Sequence, residues 1–204
     1  MEIICHRGFW RKKSEQNTID SFLLAIDHGF GIEVDVRDHN AELVISHDYA
    51  TKDSPRLIEL LREVNETQNM IALNIKSDGI FLELKSILDN LNIQNYFCFD
   101  MSIPQQVQYQ RNGLNWYSRI SDQIEERSVN QASMGIWLDA FDHDWWSKDC
   151  LLDLQKSKRL CIVSPELHGR NHKDTWHKMK SITMNSDNMI CTDLPIQAKE
   201  FFND

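Results

Sequence analysis

The sequence is poor in the residues that make linkers and tight turns. Its 204 residues include only seven glycines and four prolines. Long flexible linkers are therefore excluded, and no internal repeat or shift of composition marks a domain boundary. We expect a single domain that spans residues 1–204.

Long apolar runs and an excess of positive charge are also missing. No apolar stretch is long enough to predict a membrane span, and the first residues lack the basic start and long apolar core of a secretory signal. Lys and Arg number 22 against 31 Asp and Glu, a formal net charge of −9. This acidity argues against nucleic acid or an anionic membrane as a partner, so an anionic substrate needs a bound cation or a local basic pocket.

The five cysteines carry no metal or redox motif. Their number is odd, CxxC spacing is missing, and four of them sit in apolar runs, which is typical of small buried side chains in a reducing compartment. A cytoplasmic location is the simplest expectation. The sequence also lacks a glycine-rich phosphate loop, a GxSxG elbow and a cysteine set beside a histidine as a nucleophile.

What the sequence does contain is a short apolar run followed by an amphipathic stretch, repeated along the chain. Continuous β-branched runs are typical of parallel strands that are covered on both faces. The predicted strands are 2–5, 32–36, 71–75, 96–99, 115–119, 135–139, 160–163 and 189–192, with an extra short strand at 43–46. One predicted helix is capped by Asn17-Thr18 and ends at Gly29. The other predicted helices cover 57–64, 81–91, 104–111 and 147–155. Segments 120–132 and 172–186 are further helix candidates, although both are more polar than the others.

Eight strands that alternate with helices predict an α/β fold, either a doubly wound sheet or a (β/α)8 barrel. The count of eight favours the barrel, and so do the polar residues that follow nearly every strand. We therefore predict a single compact (β/α)8 TIM barrel with a small extra hairpin after strand 2.

Polar side chains at the carboxyl ends of barrel strands face one mouth, where such folds carry their chemistry. The strand-end residues are His6-Arg7, Glu33 with Asp35, His47-Asp48, Asn74 with Lys76, Asp100, Arg119, Asp139, Glu166 with His168, and Asp193. Such a ring of histidine, carboxylate, lysine and arginine predicts a catalytic site at this mouth.

Glu33 and Asp35 are two residues apart on a predicted buried strand, so their carboxylates point to the same side. They repel each other unless a positive charge lies between them, and hard oxygen ligands suit Mg²⁺ or Ca²⁺. A pair of solvated charges on an edge strand is the alternative, which the apolar residues flanking them disfavour.

Two histidines, His6 and His47, are each followed by a charged residue at a strand end, and this makes them the candidate proton-transfer groups. Arg119, Asp139 and His168, together with Trp137, mark a possible substrate pocket. An aromatic wall for the substrate alcohol and simple core packing are both open for the tryptophans and tyrosine near strands 5 and 6: Trp116, Tyr117, Trp137, Trp145 and Trp146.

Several segments together resemble the glycerophosphodiester phosphodiesterase family in order and spacing. The matching segments are His6-Arg7-Gly8, Glu15-Gln16-Asn17-Thr18, Gly31-Ile32-Glu33-Val34-Asp35-Val36 and Val44-Ile45-Ser46-His47-Asp48. Looser matches are Leu73-Asn74-Ile75-Lys76 and Cys191-Thr192-Asp193-Leu194-Pro195. The family pattern they follow is an HRG, an E-N-T helix start, a G-x-E-x-D-V strand, an H-D, an acidic-x-Lys element and a closing T-D-x-P.

This resemblance implies a TIM barrel with metal-dependent phosphodiesterase activity in lipid metabolism. It implies His6 and His47 as acid and base, Glu33 and Asp35 as ligands of Mg²⁺ or Ca²⁺, and Arg7 and Lys76 as contacts to the phosphoryl oxygens. Asn74 stands where the family usually has a third carboxylate ligand. An amide oxygen still ligates a hard cation, and Asp100 or Glu166 are the alternative third ligands.

Two other functions stay open at this stage. A different metal-dependent barrel enzyme could act on a sugar phosphate and use Lys76 as a base or Schiff-base amine. A barrel with weak or no catalysis could merely bind a phosphate-bearing ligand, and Asn74 favours that interpretation. The sequence leaves open the alcohol groups of the substrate, the choice between hydrolysis and cyclic-phosphate release, the metal and the oligomeric state.

Overall fold

Strands and helices alternate along the chain as the sequence predicts. The computed structural model describes residues 1–123 and 130–203. Its strands are β1 (Glu2–His6), β2 (Gly31–His39), β3 (Glu42–Ile45), β4 (Ile71–Ile75), β5 (Tyr96–Phe99), β6 (Tyr117–Ile120), β7 (Gly135–Leu138), β8 (Arg159–Val163) and β9 (Met189–Thr192). Its helices are α1 (Ile19–Asp27), α2 (Leu57–Glu63), α3 (Phe81–Asn90), α4 (Ile103–Arg111), α5 (Lys148–Ser157), α6 (Lys173–Lys180) and α7 (Pro195–Asn203), with 3-10 helices at Lys13–Glu15 and Pro165–His168.

Hydrogen bonds pair the strands in the order β5-β4-β2-β1-β9-β8-β7-β6, and β3 pairs antiparallel with β2. The neighbours β2–β4, β4–β5, β6–β7, β7–β8 and β8–β9 are parallel. Within the described residues this is the strand and helix alternation of a (β/α)8 TIM barrel. The predicted fold class and the extra hairpin after strand 2 are confirmed.

The chain divides into two compact units by its internal contacts. One unit comprises Cys5–Trp116, and the other comprises Met1–Ile4 with Tyr117–Asp204. The expectation of a single domain over residues 1–204 stays a prediction. Each unit is described below by itself.

In the unit Cys5–Trp116, strand β2 is buried over its first six residues because the strand is apolar on both faces except at Glu33 and Asp35. The parallel register sets Asp35 beside Asn74 of β4. Helix α1 begins after Thr18, whose side chain accepts a hydrogen bond from the Ser21 N–H and so caps the helix. Its buried face packs on the core of this unit.

In the other unit, strands β7 and β9 are buried along their whole length, as expected for parallel strands covered on both faces. Gly135 opens β7 because the Tyr117 ring of β6 packs against it: a Cβ there would lie 2.3 Å from the ring. Helix α5 begins after Ser147, whose side chain accepts from the Cys150 N–H. This packing holds the ends of β6, β7 and β8, where polar side chains lie.

The structure describes one of the two polar segments in full and the other only in part. Segment 172–186 contains α6, whose inward face buries Trp176 and Met179 although most of its other residues are polar. Residues 124–129 of segment 120–132 lie outside the described residues. Helix α7 was not predicted, because it follows the last strand with little apolar periodicity of its own.

Four cysteines are buried, as their apolar surroundings predict, and all five carry free thiols. Burial raises the pKa of the Cys98 thiol far above its usual range. Over residues 1–123 and 130–203, no helix is both long enough and apolar enough to cross a bilayer.

Candidate active site

Strand β2 carries the two carboxylates at the centre of the candidate site. Glu33 and Asp35 are 1% and 0% exposed, although free carboxylates are rarely buried without partners. They alternate with Val34 on the strand, which places them on the same face. What each carboxylate contacts therefore decides what the site can do.

Asp35 is held by three donors from three different segments. Its Oδ2 atom lies 3.1 Å from Nε of Arg7 and accepts a 2.8 Å hydrogen bond from Nδ2 of Asn17. Its Oδ1 atom lies 3.2 Å from Nζ of Lys76. Burial alone would raise the pKa of Asp35, but the Lys76 and Arg7 cations outweigh burial and lower it. Asp35 is thus a charged carboxylate that organises two basic side chains.

Glu33 has weaker partners and the opposite shift. Its Oε2 accepts a 3.1 Å hydrogen bond from the Arg7 backbone N–H, and its Oε1 accepts one of 3.1 Å from Nδ2 of Asn74. Burial, and then the charge of Asp35, raise its pKa to about 7, against the opposing influence of cations that include His6. Near neutral pH this carboxyl group therefore retains a proton more readily than a free glutamate does.

A strained turn holds the Arg7 backbone in place. Arg7 has φ of 58° and Gly8 has φ of 90°, a region that costs a side-chain-bearing residue energy. A Cβ on Gly8 would lie 2.3 Å from Oγ of Ser21 on α1, so only glycine fits. The Arg7 carbonyl in turn accepts a 3.0 Å hydrogen bond from the Asn17 N–H. The His6-Arg7-Gly8 motif is thus the turn that brings the guanidinium and a backbone donor to the two carboxylates.

Both candidate histidines lie in the same unit and near these carboxylates. His6 ends β1, and its charge acts on Glu33, whereas that of His47 acts on Asp35. The hairpin β2–β3 places His47 by pairing Val36 with Ile45. The Nδ1 atom of His47 lies 2.9 Å from a carboxylate oxygen of Asp48, which orients the half-exposed ring. The structure therefore brings His6, Arg7, Glu33, Asp35, His47, Asn74 and Lys76 together in one unit.

The residues available for a metal are two carboxylates and one amide. The Oδ1 atom of Asn74 is buried and has no hydrogen-bond partner among the described residues. A neutral amide oxygen beside carboxylates is a suitable ligand for Mg²⁺ or Ca²⁺, so this donor set fits a hard divalent cation. Within residues 1–123 and 130–203, no group of three or more His, Cys, Asp or Glu side chains is arranged for a metal ion. The Asn74 amide oxygen is thus the oxygen donor that lies beside the two carboxylates in this unit.

The two alternative third ligands are placed differently. Asp100 directly follows β5 and has φ of 70°, and β5 pairs Phe99 with Asn74. Glu166 belongs to the other unit, where its carboxylate accepts from the hydroxyls of Ser164 and Thr192 and, at 3.2 Å, from the Asp193 N–H. These bonds commit the Glu166 oxygens to holding its own loop.

The possible substrate pocket falls in that other unit. Asp139 is bound there by Arg119 at 3.0 Å and by His168 at 2.7 Å. Trp137 is 3% exposed, and Trp116, Tyr117 and Trp146 are similarly buried within their units, which favours core packing over a substrate wall for these four. Trp145, which is partly exposed, donates its indole N–H to the Asp139 carbonyl.

Sequence reasoning missed three side chains around these residues. Asn17 was expected to help cap α1, but Thr18 alone is the cap and Asn17 binds Asp35; its place in the E-N-T motif was the available signal. Arg37 donates a 3.1 Å hydrogen bond to the His47 carbonyl. Phe141 packs against both Arg119 and His168. No sequence pattern singles out Arg37 or Phe141.

Comparison with known proteins supports the fold described above. No protein-family model and no curated protein sequence matches the chain. In structure the chain is similar to a protein from Galdieria sulphuraria that is considered a glycerophosphodiester phosphodiesterase, with a TM-score of 0.79 at 15% identity over 100% of this chain and 98% of that one. It is also similar to glycerophosphodiester phosphodiesterases from Parabacteroides distasonis (TM-score 0.72, 16% identity, 99% and 96% covered) and Agrobacterium tumefaciens (0.70, 15%, 98% and 98%).

These similarities define the class of fold. The chain has the same α/β barrel fold as those solved structures, and the similarity covers nearly its whole length. At such low identity the likeness establishes the fold, and the chemistry has to be argued from the residues of the site.

Proposed function

We propose that this chain is a phosphodiesterase that hydrolyses a glycerophosphodiester-like diester to a phosphomonoester and an alcohol. One observation carries the proposal: the buried Asp35 carboxylate holds both Arg7 and Lys76 within 3.2 Å. Two cations fixed by one carboxylate form a basic pocket in a protein whose net charge is −9. Such a pocket meets the need of an acidic protein that binds an anionic diester.

Arg7 and Lys76 would bind the non-bridging phosphoryl oxygens. A guanidinium has five N–H donors and an ammonium has three, so each retains donors beyond those that face Asp35. Both side chains are about one-fifth exposed, at 22% and 18%, which allows contact with a ligand. Because Asp35 fixes them in advance, little side-chain entropy is lost when the diester binds.

Glu33, Asp35 and the Asn74 amide oxygen would hold a divalent cation, Mg²⁺ or Ca²⁺. When bound, such a cation supplies charge neutralisation for the phosphoryl oxygens. Binding of a cation beside Glu33 would displace the proton that the raised pKa of this group favours. The metal and the proton therefore compete for the same carboxylate.

His6 and His47 would move the two protons that the reaction needs. One imidazole removes a proton from the attacking hydroxyl, of water or of a neighbouring substrate carbon, as the new P–O bond forms. The other donates a proton to the alcohol oxygen as its P–O bond breaks. The carboxylate of Asp48 holds the His47 ring through Nδ1, so Nε2 is the nitrogen that serves the substrate.

The paired roles predict a bell-shaped pH–rate profile, because one histidine must be neutral while the other is protonated. They also predict that His6→Asn and His47→Asn each lower kcat/KM for glycerophosphocholine by about 10²-fold or more. His39→Asn, at the end of β2, is the matched control and should leave the rate unchanged. A flat profile between pH 5 and 9, or normal turnover in either variant, contradicts the proposal.

One observation supports a non-catalytic barrel instead. Asn74 gives the metal site a neutral amide in place of a third carboxylate, which weakens metal binding. Such a protein would bind phosphate-bearing ligands through Arg7 and Lys76 without turnover. The competing sugar-phosphate enzyme needs Lys76 as a base or Schiff-base amine, whereas Nζ of Lys76 lies in an ion pair with Asp35 at 3.2 Å. Glycerophosphocholine binding without hydrolysis at any metal concentration identifies the non-catalytic case.

A further inference from the structure

Asp139 is the centre of a second cluster, in the unit that contains Tyr117–Asp204. Its Oδ1 atom lies 2.7 Å from Nε2 of His168 and accepts a 2.9 Å hydrogen bond from the Ala140 N–H, and its Oδ2 atom lies 3.0 Å from a terminal nitrogen of Arg119. Arg119 lies in β6, Asp139 directly follows β7, and His168 ends the 3-10 helix after β8. One buried carboxylate thus holds two basic side chains that come from separate segments.

Aromatic packing holds the same two basic groups from a second side. The Phe141 ring lies 4.4 Å from the His168 ring and 5.4 Å from the Arg119 guanidinium carbon. The backbone of Phe141 is itself fixed, because its N–H donates a 2.8 Å hydrogen bond to a carboxylate oxygen of Asp122. Burial opposes the charge on Asp122, but the backbone donors of the 141–143 segment hold its pKa low, at about 2. The cluster is therefore preorganised before any ligand arrives.

Exposure determines which of these groups a ligand can reach. Asp139 is 1% exposed, whereas Arg119 and His168 are 31% and 21% exposed. A ligand therefore meets hydrogen-bond donors and not the carboxylate behind them. Of the neighbouring acids, Asp122 is engaged by backbone N–H groups, and Asp144 is engaged by Arg170 at 2.7 Å.

We propose that Arg119 and His168, oriented by Asp139, form a binding site for an anionic oxygen group, a carboxylate or a phosphate. A guanidinium presents its N–H donors in a fork that matches the spacing of two oxygens on such a group. Nε2 of His168 faces Asp139, so Nδ1 is the ring nitrogen that serves the ligand. Phe141 lines the same cluster and limits the orientation of the bound group. This inference uses residues of one unit and does not rest on the proposed hydrolysis.

The test follows the site directly by NMR in the full chain. The side-chain Nε–H signal of Arg119 and the ring signals of His168 are recorded during separate titrations with inorganic phosphate and with acetate. We expect saturable shifts of both sets of signals, with phosphate or acetate bound more tightly according to which anion the site fits. The corresponding signal of Arg159, which is similarly exposed at 33% and paired with Glu2 and Asp187, is the internal control and should stay unchanged.

Conservative variants show whether the two donors act together. Arg119→Lys retains the charge but loses the fork, and His168→Gln retains a donor to Asp139 but loses the imidazole; each should weaken anion binding about tenfold. Arg159→Lys should not. Signals of Arg119 and His168 that move linearly without saturation, or in parallel with those of Arg159, overturn the inference. Hydrolysis of glycerophosphocholine is measured on the same samples, so a failed anion site and a failed phosphodiesterase are distinguished.

Discussion

Asp35 and Asp139 invite direct comparison because they play the same structural part in two different units. Each is buried at the carboxyl end of a parallel strand, and each binds two basic side chains: Arg7 and Lys76 in one case, Arg119 and His168 in the other. The difference lies two residues earlier, on the same strand face. That position is Glu33 before Asp35 and Trp137 before Asp139.

In the two proposed sites this position would set the charge of the ligand. Glu33 adds a second carboxylate, so the proposed site of Glu33, Asp35 and the Asn74 amide suits a cation. Trp137 adds an uncharged indole, so Asp139 is the single carboxylate behind the partly exposed Arg119 and His168. An aspartate at the corresponding strand position would thus support a cation site in one unit and an anion site in the other.

The largest expected difference between the two clusters follows from removing each aspartate charge. Asp35→Asn leaves Arg7 and Lys76 without their anion and should lower the free energy of unfolding by about 3–5 kcal/mol. Asp139→Asn should cost less, because one partner of Asp139 is an imidazole, whereas the partners of Asp35 are a guanidinium and an ammonium group. Urea unfolding at pH 7 measures both, with the exposed Asp38→Asn on β2 as control. Equal losses of unfolding free energy in Asp35→Asn and Asp139→Asn would contradict this difference between the two clusters.

A smaller effect, with a definite pH dependence, is expected at Glu33. Its folded pKa of about 7 lies above the ordinary value of 4.5. The contribution of Glu33 to the free energy of unfolding is therefore largest below pH 4.5 and is lost as the pH rises through 7. In a chelator, Glu33→Gln should therefore unfold less readily than the wild type at pH 8, by about 3 kcal/mol, and gain nothing at pH 4. Chemical denaturation at the two pH values measures this; the same difference at both would contradict a raised pKa. No such pH-dependent gain is expected from Trp137→Phe at the matching position of β7.

Much of the fold follows from local patterns of the sequence. The strands at residues 71–75, 96–99 and 189–192 have the predicted bounds, because continuous apolar runs between polar segments mark buried parallel strands. Helix α6 was harder to assign, since its burial depends on Trp176 and Met179 among mostly polar neighbours. Tertiary packing, rather than local periodicity, makes that segment a helix.

The site was predictable where strand ends carry charge and not where contacts join distant segments. Glu33 and Asp35 follow from the period of two on a strand. That Asn17 binds Asp35, or that Arg37 binds the His47 carbonyl, depends on how separate loops pack. The opposite pKa shifts of Glu33 and Asp35 are likewise invisible in the sequence, because they depend on which of the two carboxylates the cations reach.

A third, smaller effect concerns the identity of the third metal ligand. Asn74→Asp should tighten Mg²⁺ or Ca²⁺ binding about tenfold, because a carboxylate replaces a neutral amide oxygen. Calorimetric titration of the wild type, Asn74→Asp and Asp100→Ala measures this. Unchanged affinity in Asn74→Asp together with a large loss in Asp100→Ala would move the third ligand to the strand end of β5.

The most direct test of the account is the rate of glycerophosphocholine hydrolysis as a function of divalent metal. The protein is stripped with a chelator, and Mg²⁺ or Ca²⁺ is then added to the wild type, to Glu33→Gln and to the control Asp38→Asn. The account predicts no turnover without metal, saturable recovery in the wild type and the control, and little recovery in Glu33→Gln. Full activity after chelation, or normal metal-dependent recovery in Glu33→Gln, would contradict it.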